Sequence, residues 1–252
     1  MGDLIDHYEG IFSKDLEAKL IQIGGFSEPV LRFLPREIRT YPSHGYDHTK
    51  NIVNYISKFL KNWEIQLNET ELFLLYAGAW VHDIGCLVER ERHNMRSSDI
   101  ISSEKFFSSI LTREQFRSLT YLVEVHSSTY CPYSIHDVPE EWGEVKLRLI
   151  CSIFRLMDAC DITNANCPPL VYNIIQSKLG EESDRYWRAH LNIDKLTFKY
   201  PNIVVFVDKI DECRFLIIHL QKEIESIQKV FAQYHYEIPI IQIVSKSKKI
   251  TL

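Results

Sequence analysis

The sequence predicts a mainly α-helical domain over residues 1–190, followed by a small α+β appendage over 191–252. Three observations predict it. Apolar residues recur at three- and four-residue spacing up to about residue 190. Beyond that point a β-rich run, Ile203–Val207, stands beside Pro201-Asn202. Finally, 252 residues at 45% hydrophobic and 25% charged suit one large soluble domain, or one domain with an appendage, and exclude a disordered or fibrous chain.

Each element follows from local signals. Ser13 opens a short helix expected to stop before Gly24-Gly25. Pro35 and Pro42 break residues 35–47 into a loop. A helix from Asp47 to Trp63 carries Ile52, Ile56, Phe59 and Trp63 on one side. Asn68 with Glu71 resembles a capping box and opens the next helix, which ends at His82-Asp83 with Gly85 placed as a C′ glycine. Further helices are expected over 93–107, from Thr112 (with Gln115) along the Phe116, Leu119 and Val123 face, and over 144–161. Pro168-Pro169 precede another that stops near Gly180. In the appendage a helix from Asp211 to Gln233 sits between the Ile203 run and a closing strand, Ile238–Val244. The stripe Ile217, Ile224, Ile227 and Phe231 on that helix suits packing on the appendage's own sheet, with a homo-oligomer contact as the alternative.

Charge and targeting signals narrow the function classes. The net charge is −5, so a coat for long nucleic acid is not expected, because phosphate binding needs clustered positive charge. Residues 1–20 carry Asp3, Asp6, Glu9, Lys14, Asp15 and Glu17 where a signal peptide has an apolar stretch, and Asp6 replaces the Ser or Thr of a myristoylation signal. The longest apolar run, Leu72–Val81, falls far short of the ~20 residues that span a bilayer. Six cysteines without a C-x-x-C pair read as reduced thiols, which implies a cytoplasmic protein without a membrane partner.

The informative feature is the placement of polar residues on apolar faces. His48 extends the Ile52–Ile56–Phe59 stripe. His82 and Asp83 follow Leu72, Leu75, Tyr76 and Ala79. His126 extends the face of Phe116, Leu119 and Val123, and Asp158 that of Ile150 and Phe154. Any one such histidine is more often a hydrogen-bonded core residue than a ligand. Several imidazoles and two carboxylates converging on one interior are best explained by a cation, since an unpaired buried carboxylate costs several kcal/mol. Imidazole with carboxylate suits Zn, Mn, Fe or Co, and the lack of a thiolate partner argues against a structural zinc finger.

At five segments the chain resembles the HD-domain metal-dependent phosphohydrolase superfamily: H-G-Y-D-H-T-K-N-I-V from His44, A-W-V-H-D-I-G from Ala79, H-N-M-R-S from His93, V-E-V-H-S-S from Val123, and R-L-M-D-A-C-D-I from Arg155. The resemblance covers residues 44–162 and implies an HD-type helical bundle. It implies a first metal on His48, His82, Asp83 and Asp158, and a second on His93 and His126 with Asp83 bridging. Two departures stand out. Ser127 occupies a position often held by a second histidine, which puts the second site in question. Cys86 replaces the lysine of members that cleave cyclic dinucleotides, and no Gly-Tyr-Pro follows.

The expected cofactor is one or two divalent ions of Mn, Fe, Co, Zn, Ni or Mg. Asp83 and His82 are the expected catalytic pair. His44, Arg92, Arg96 and Arg155 are the candidate substrate contacts, with a solvated, charge-balanced loop as the alternative for Arg92 and Arg96, and a buried ion pair as that for Arg155. Tyr130, Tyr133 and His136 are candidates for a wall against a base. The expected reaction is hydrolysis of a nucleotide, or of another small phosphoester or phosphoanhydride, by metal-activated water. A non-catalytic metal- or nucleotide-binding regulator, an HD-type nuclease and a bundle with buried polar pairs remain as alternatives.

Overall fold

A computed structural model describes residues 11–37, 45–127, 134–245 and 249–251. Among them ten α-helices and one four-stranded sheet account for most of the chain. Helix α1 spans Lys14–Glu37, α2 Tyr46–Asn62 and α3 Glu69–Val81. A 3₁₀ turn, Ile84–Leu87, leads to α4 (His93–Ser103), α5 (Lys105–Ile110), α6 (Arg113–Glu124) and α7 (Leu147–Ala159). After α7 come α8 (Pro169–Ile175) and α9 (Glu181–Leu191). Strands β1 (Ile193–Lys199) and β2 (Asn202–Val207), helix α10 (Ile210–Gln233), and strands β3 (Ile240–Ser245) and β4 (Lys249–Thr251) complete the fold.

Helix α3 is the centre of the bundle. Ten of its thirteen residues are buried, because α1, α2, α6 and α7 all pack on it. The expected capping box forms: Asn68 accepts from the Glu71 amide at 2.8 Å, and Glu71 accepts from the Asn68 amide at 2.8 Å. Glu71 also accepts from the Lys146 amide at 2.8 Å, which fixes the start of α7 against the start of α3. A second box, Thr112 with Gln115, opens α6 as expected.

Two glycines behave differently from the expectation. Helix α1 runs straight through Gly24-Gly25 to Glu37. A Cβ at Gly24 would lie 3.2 Å from the Trp80 ring, so this glycine lets α1 approach α3 rather than ending the helix. Gly85 is likewise no C′ residue in the left-handed region. It sits within the 3₁₀ turn, where an added Cβ would stand 2.3 Å from the His93 carbonyl and 2.4 Å from the Ser97 amide. The absence of a side chain there lets α4 press against the end of α3.

The sheet runs in the order β1-β2-β3-β4. Strands β1 and β2 form an antiparallel hairpin, closed by the Lys199–Asn202 pair. Strands β2 and β3 are parallel, and α10 makes the crossover that such pairing requires. The short β4 pairs antiparallel to β3. Central strand β2 is buried at Ile203, Val204, Val205 and Val207, as expected of a strand covered on both faces. Sheet and bundle share one core: Phe198 on β1 lies against Tyr55 and Phe59 of α2 and against Trp63, and Phe231 on α10 also meets Phe59. The stripe Ile217, Ile224, Ile227 and Phe231 is buried within this core. No helix among the described residues is long and apolar enough to cross a membrane, and the five described cysteines are buried.

Candidate metal centre

The helix faces deliver the polar residues to one interior point. Helix α2 carries His48 one turn from its start, on the same side as the fully buried Ile52, Ile56 and Phe59. The end of α3 supplies His82 and Asp83. His93 begins α4, His126 follows α6, and Asp158 lies in the last turn of α7. His48, His82, Asp83 and His126 are all at most 5% exposed. The side chain of Asp158 is 21% exposed, so it faces the opening.

The atoms divide into two groups around one carboxylate. In the first, His48 Nε2 lies 3.1 Å from His82 Nε2, 3.1 Å from Asp158 Oδ1 and 3.6 Å from Asp83 Oδ2. His82 Nε2 is 3.5 Å from the same Asp83 oxygen and 3.6 Å from Asp158 Oδ1. In the second, His93 Nε2 lies 2.9 Å from His126 Nε2 and 3.3 Å from Asp83 Oδ1. The two oxygens of Asp83 thus face different histidine pairs, and each three-residue group, His48–His82–Asp83 and Asp83–His93–His126, could hold an ion.

The outer hydrogen bonds set the tautomers. The Nδ1 atoms of His82, His93 and His126 lie 3.2, 2.7 and 2.7 Å from the carbonyls of Ala79, Arg90 and Val123. A carbonyl only accepts, so each Nδ1 carries the proton and each Nε2 turns a lone pair inward. His48 Nδ1 lies 2.6 Å from Asp161 Oδ2 and is oriented in the same way. Two pairs of imidazole lone pairs facing each other at about 3 Å, together with carboxylate oxygens, make a donor set that a proton or a cation must occupy. Nitrogen and oxygen donors without a thiolate fit a borderline divalent ion. Burial and the charge of Asp83 push the Cys86 thiol up, and its Sγ lies 3.8 Å from Asp83 Oδ1, outside both three-residue groups.

The two groups differ in charge. Burial opposes protonation of His48, but hydrogen bonds to Asp158 and Asp161 outweigh it and hold its imidazole well above the usual range. The same contest raises His82, where the charge of Asp83 is the largest opposing influence. Asp158 is driven well below the ordinary carboxyl range, because hydrogen bonds from His48 and His82 overcome its burial. His126 moves the other way. Burial, reinforced by His93, lowers it to about 3, and it stays neutral.

Asp161 lies just past the end of α7 and is the residue of the cluster that helix periodicity missed. Asn166 Nδ2 donates to its Oδ2 at 2.6 Å and Asn51 Nδ2 to its Oδ1 at 3.0 Å, so the carboxylate behind His48 is itself held. Its signal was the three-residue spacing of the two acids in D-A-C-D. Ser97, the last residue of H-N-M-R-S, donates to the His82 carbonyl at 2.5 Å and accepts from the Gly85 amide at 2.8 Å, tying α4 to the His-Asp corner.

The expected substrate arginines lie elsewhere. Arg92 pairs with Glu89 in solvent, and Arg96 pairs with Glu89 and Asp99. Both belong to a charge-balanced surface, because the Glu89 carboxylate lies between them. Arg155 is buried. Its Nε donates to the Val125 carbonyl at 2.8 Å, its Nη1 donates to Ser226 at 3.3 Å, and Glu223 of α10 stands 3.9 Å away, so it joins α7 to α10. The arginine at the opening is Arg90. Together with Asp158 it lines two adjoining cavities of about 160 and 140 Å³, one beside His48 and the other beside His93 and His126. His44, Tyr130 and Tyr133 lie outside the described residues, and His136 is exposed in a 3₁₀ turn.

Two comparisons complete the picture. No curated protein matches the sequence. The HD-CE family model matches residues 34–231, a span that runs from the end of α1 to the last turns of α10 and takes in all six clustered residues. On that match, over more than half its length, the chain belongs to the HD-CE family.

Proposed function

We propose that the protein is a metal-dependent phosphohydrolase acting on a small phosphoester or phosphoanhydride, such as a nucleotide. The division of the Asp83 carboxylate between two inward-facing histidine pairs carries this reading. When bound, a divalent ion supplies Lewis acidity, making coordinated water acidic near neutral pH and neutralising charge on a phosphoryl group. His48, His82, Asp83 and Asp158 would hold one ion, and Asp83, His93 and His126 a second.

The chain's own residues do the rest. Asp161 and the carbonyls of Ala79, Arg90 and Val123 hold the four imidazoles with their lone pairs inward. Asp83 and Asp158 are the carboxylates of the site, and either could accept a proton from water activated there. Arg90 presents a permanent positive charge at the opening, suited to phosphate oxygens. Leu119, Leu122, Val123, Ile150 and Phe154, all fully buried, keep bulk water from the rear of the site.

The test is metal analysis of the purified chain, followed by phosphate release from nucleoside mono- and triphosphates, cyclic nucleotides and short oligonucleotides. The expected result is one or two divalent ions per chain, with turnover on the mononucleotides that chelation abolishes. Undiminished turnover by a metal-free Asp83→Ala protein would overturn the mechanism.

A further inference from the structure

The cavity beside His48 is lined on one side by His48, Asp158 and Asp161 and on the other by parts of the chain that the metal cluster does not use. Helix α9 contributes Tyr186 and His190, four residues apart and so on one face. Helix α10, which packs on α9, contributes His219, and the turn after α3 contributes Arg90. His190 is buried, with Nδ1 3.3 Å from the Thr163 carbonyl. Tyr186 is set by an edge contact with Phe215, ring centres 5.2 Å apart. Arg90, Tyr186 and His219 can therefore donate hydrogen bonds into a space that shares Asp158 and Arg90 with the second cavity. The acids of this wall are already engaged, Asp158 by His48 and Asp161 by His48, Asn51 and Asn166.

Size restricts what can enter. A cavity of about 160 Å³ holds roughly five waters at ~30 Å³ each. Pockets that enclose drug-sized ligands start at about 300 Å³, so the space suits a compact group of about the size of a phosphate. We infer that this cavity binds a second, non-reacting phosphate of the substrate, held by Arg90, Tyr186 and His219 while the reacting phosphoryl group sits in the adjoining cavity beside His93 and His126. The inference rests on the phosphohydrolase reading and narrows its substrate class to molecules with two linked phosphates, a diphosphate or longer chain, whose organic part stays outside. Arg90, lining both cavities, touches both phosphates.

Two matched probes test this on the full chain as purified: methylphosphonate with one phosphonate group and methylenediphosphonate with two, titrated calorimetrically at fixed ionic strength. Metal content and melting temperature are read before and after. The diphosphonate is expected to bind at least about tenfold more tightly, the effect of one added set of charge-assisted hydrogen bonds. His219→Gln and Tyr186→Phe should remove most of that preference without changing metal content or methylphosphonate affinity, while Arg90→Gln should weaken both probes. Equal affinity for the two probes overturns the inference. So does a preference that survives both His219→Gln and Tyr186→Phe, or one that arises because the diphosphonate strips metal from the protein. Should the chain hold no metal and release no phosphate, while the His219-dependent preference persists, the hydrolase reading fails and the two-phosphate site stands.

Discussion

The two halves of the metal centre are held by different means. The His48 half is backed by side chains: Asp161 holds the imidazole, and Asn51 and Asn166 hold Asp161. The His93–His126 half is backed by main-chain carbonyls, from Arg90 and Val123. The first half gathers opposite charges, with the imidazoles of His48 and His82 raised and the Asp158 carboxyl lowered. The second half stays neutral, with His126 lowered to about 3. A carboxylate behind an imidazole makes it more basic and a tighter ligand, whereas a carbonyl only orients it. The first half is therefore expected to bind its ion more tightly and to compete more strongly with protons.

The largest effect should come from the one residue both halves share. Asp83→Ala is expected to remove both ions and reduce phosphate release to background, as read by elemental analysis and a phosphate assay. His126→Ala should split the halves, lowering metal content by one ion while the His48 group stays loaded; loss of both ions would show that the halves do not bind independently. Asp161→Asn keeps the shape but removes the charge behind His48. Changes at such outer partners typically cost 10–100-fold in metal affinity, and chelator competition should find that loss in the first ion only. The smallest effect is a slope. Because the metal-free His48 is protonated well above its ordinary pKa, binding the first ion expels that proton. Affinity should then rise about tenfold per pH unit through the neutral range up to that raised value, and flatten above it. The second ion should show no such dependence on His126, which is already neutral across that range.

Much of this centre was legible because it lies on helices. His48, His126 and Asp158 extend apolar stripes, and the 3.6-residue repeat aims such residues at the core. Asp161 was not, because it lies beyond the Cys160 end of α7, where periodicity no longer specifies direction. The arginines failed for a related reason. Arg90 sits in a turn whose path depends on how closely α4 packs at Gly85, a tertiary fact absent from local pattern. Arg155 follows the helical repeat, but its partners Val125 and Glu223 come from segments 30 and 68 residues away. The capping boxes at Asn68 and Thr112 were readable because their hydrogen bonds span three residues. Gly24 misled because a glycine serves equally to end a helix and to admit a neighbour.

The parallel pairing of β2 with β3 has a consequence for synthesis. Ile203 meets Ile241 only after the intervening helix has been made and folded back. That helix also brings Glu223 to Arg155. A chain emerging from the ribosome therefore exposes every residue of the His/Asp cluster long before the piece that closes α7 against its last neighbour exists. For that interval the unfinished bundle carries a guanidinium still lacking its helix α10 partners, and premature release or truncation near residue 210 should leave a species suited to chaperone capture.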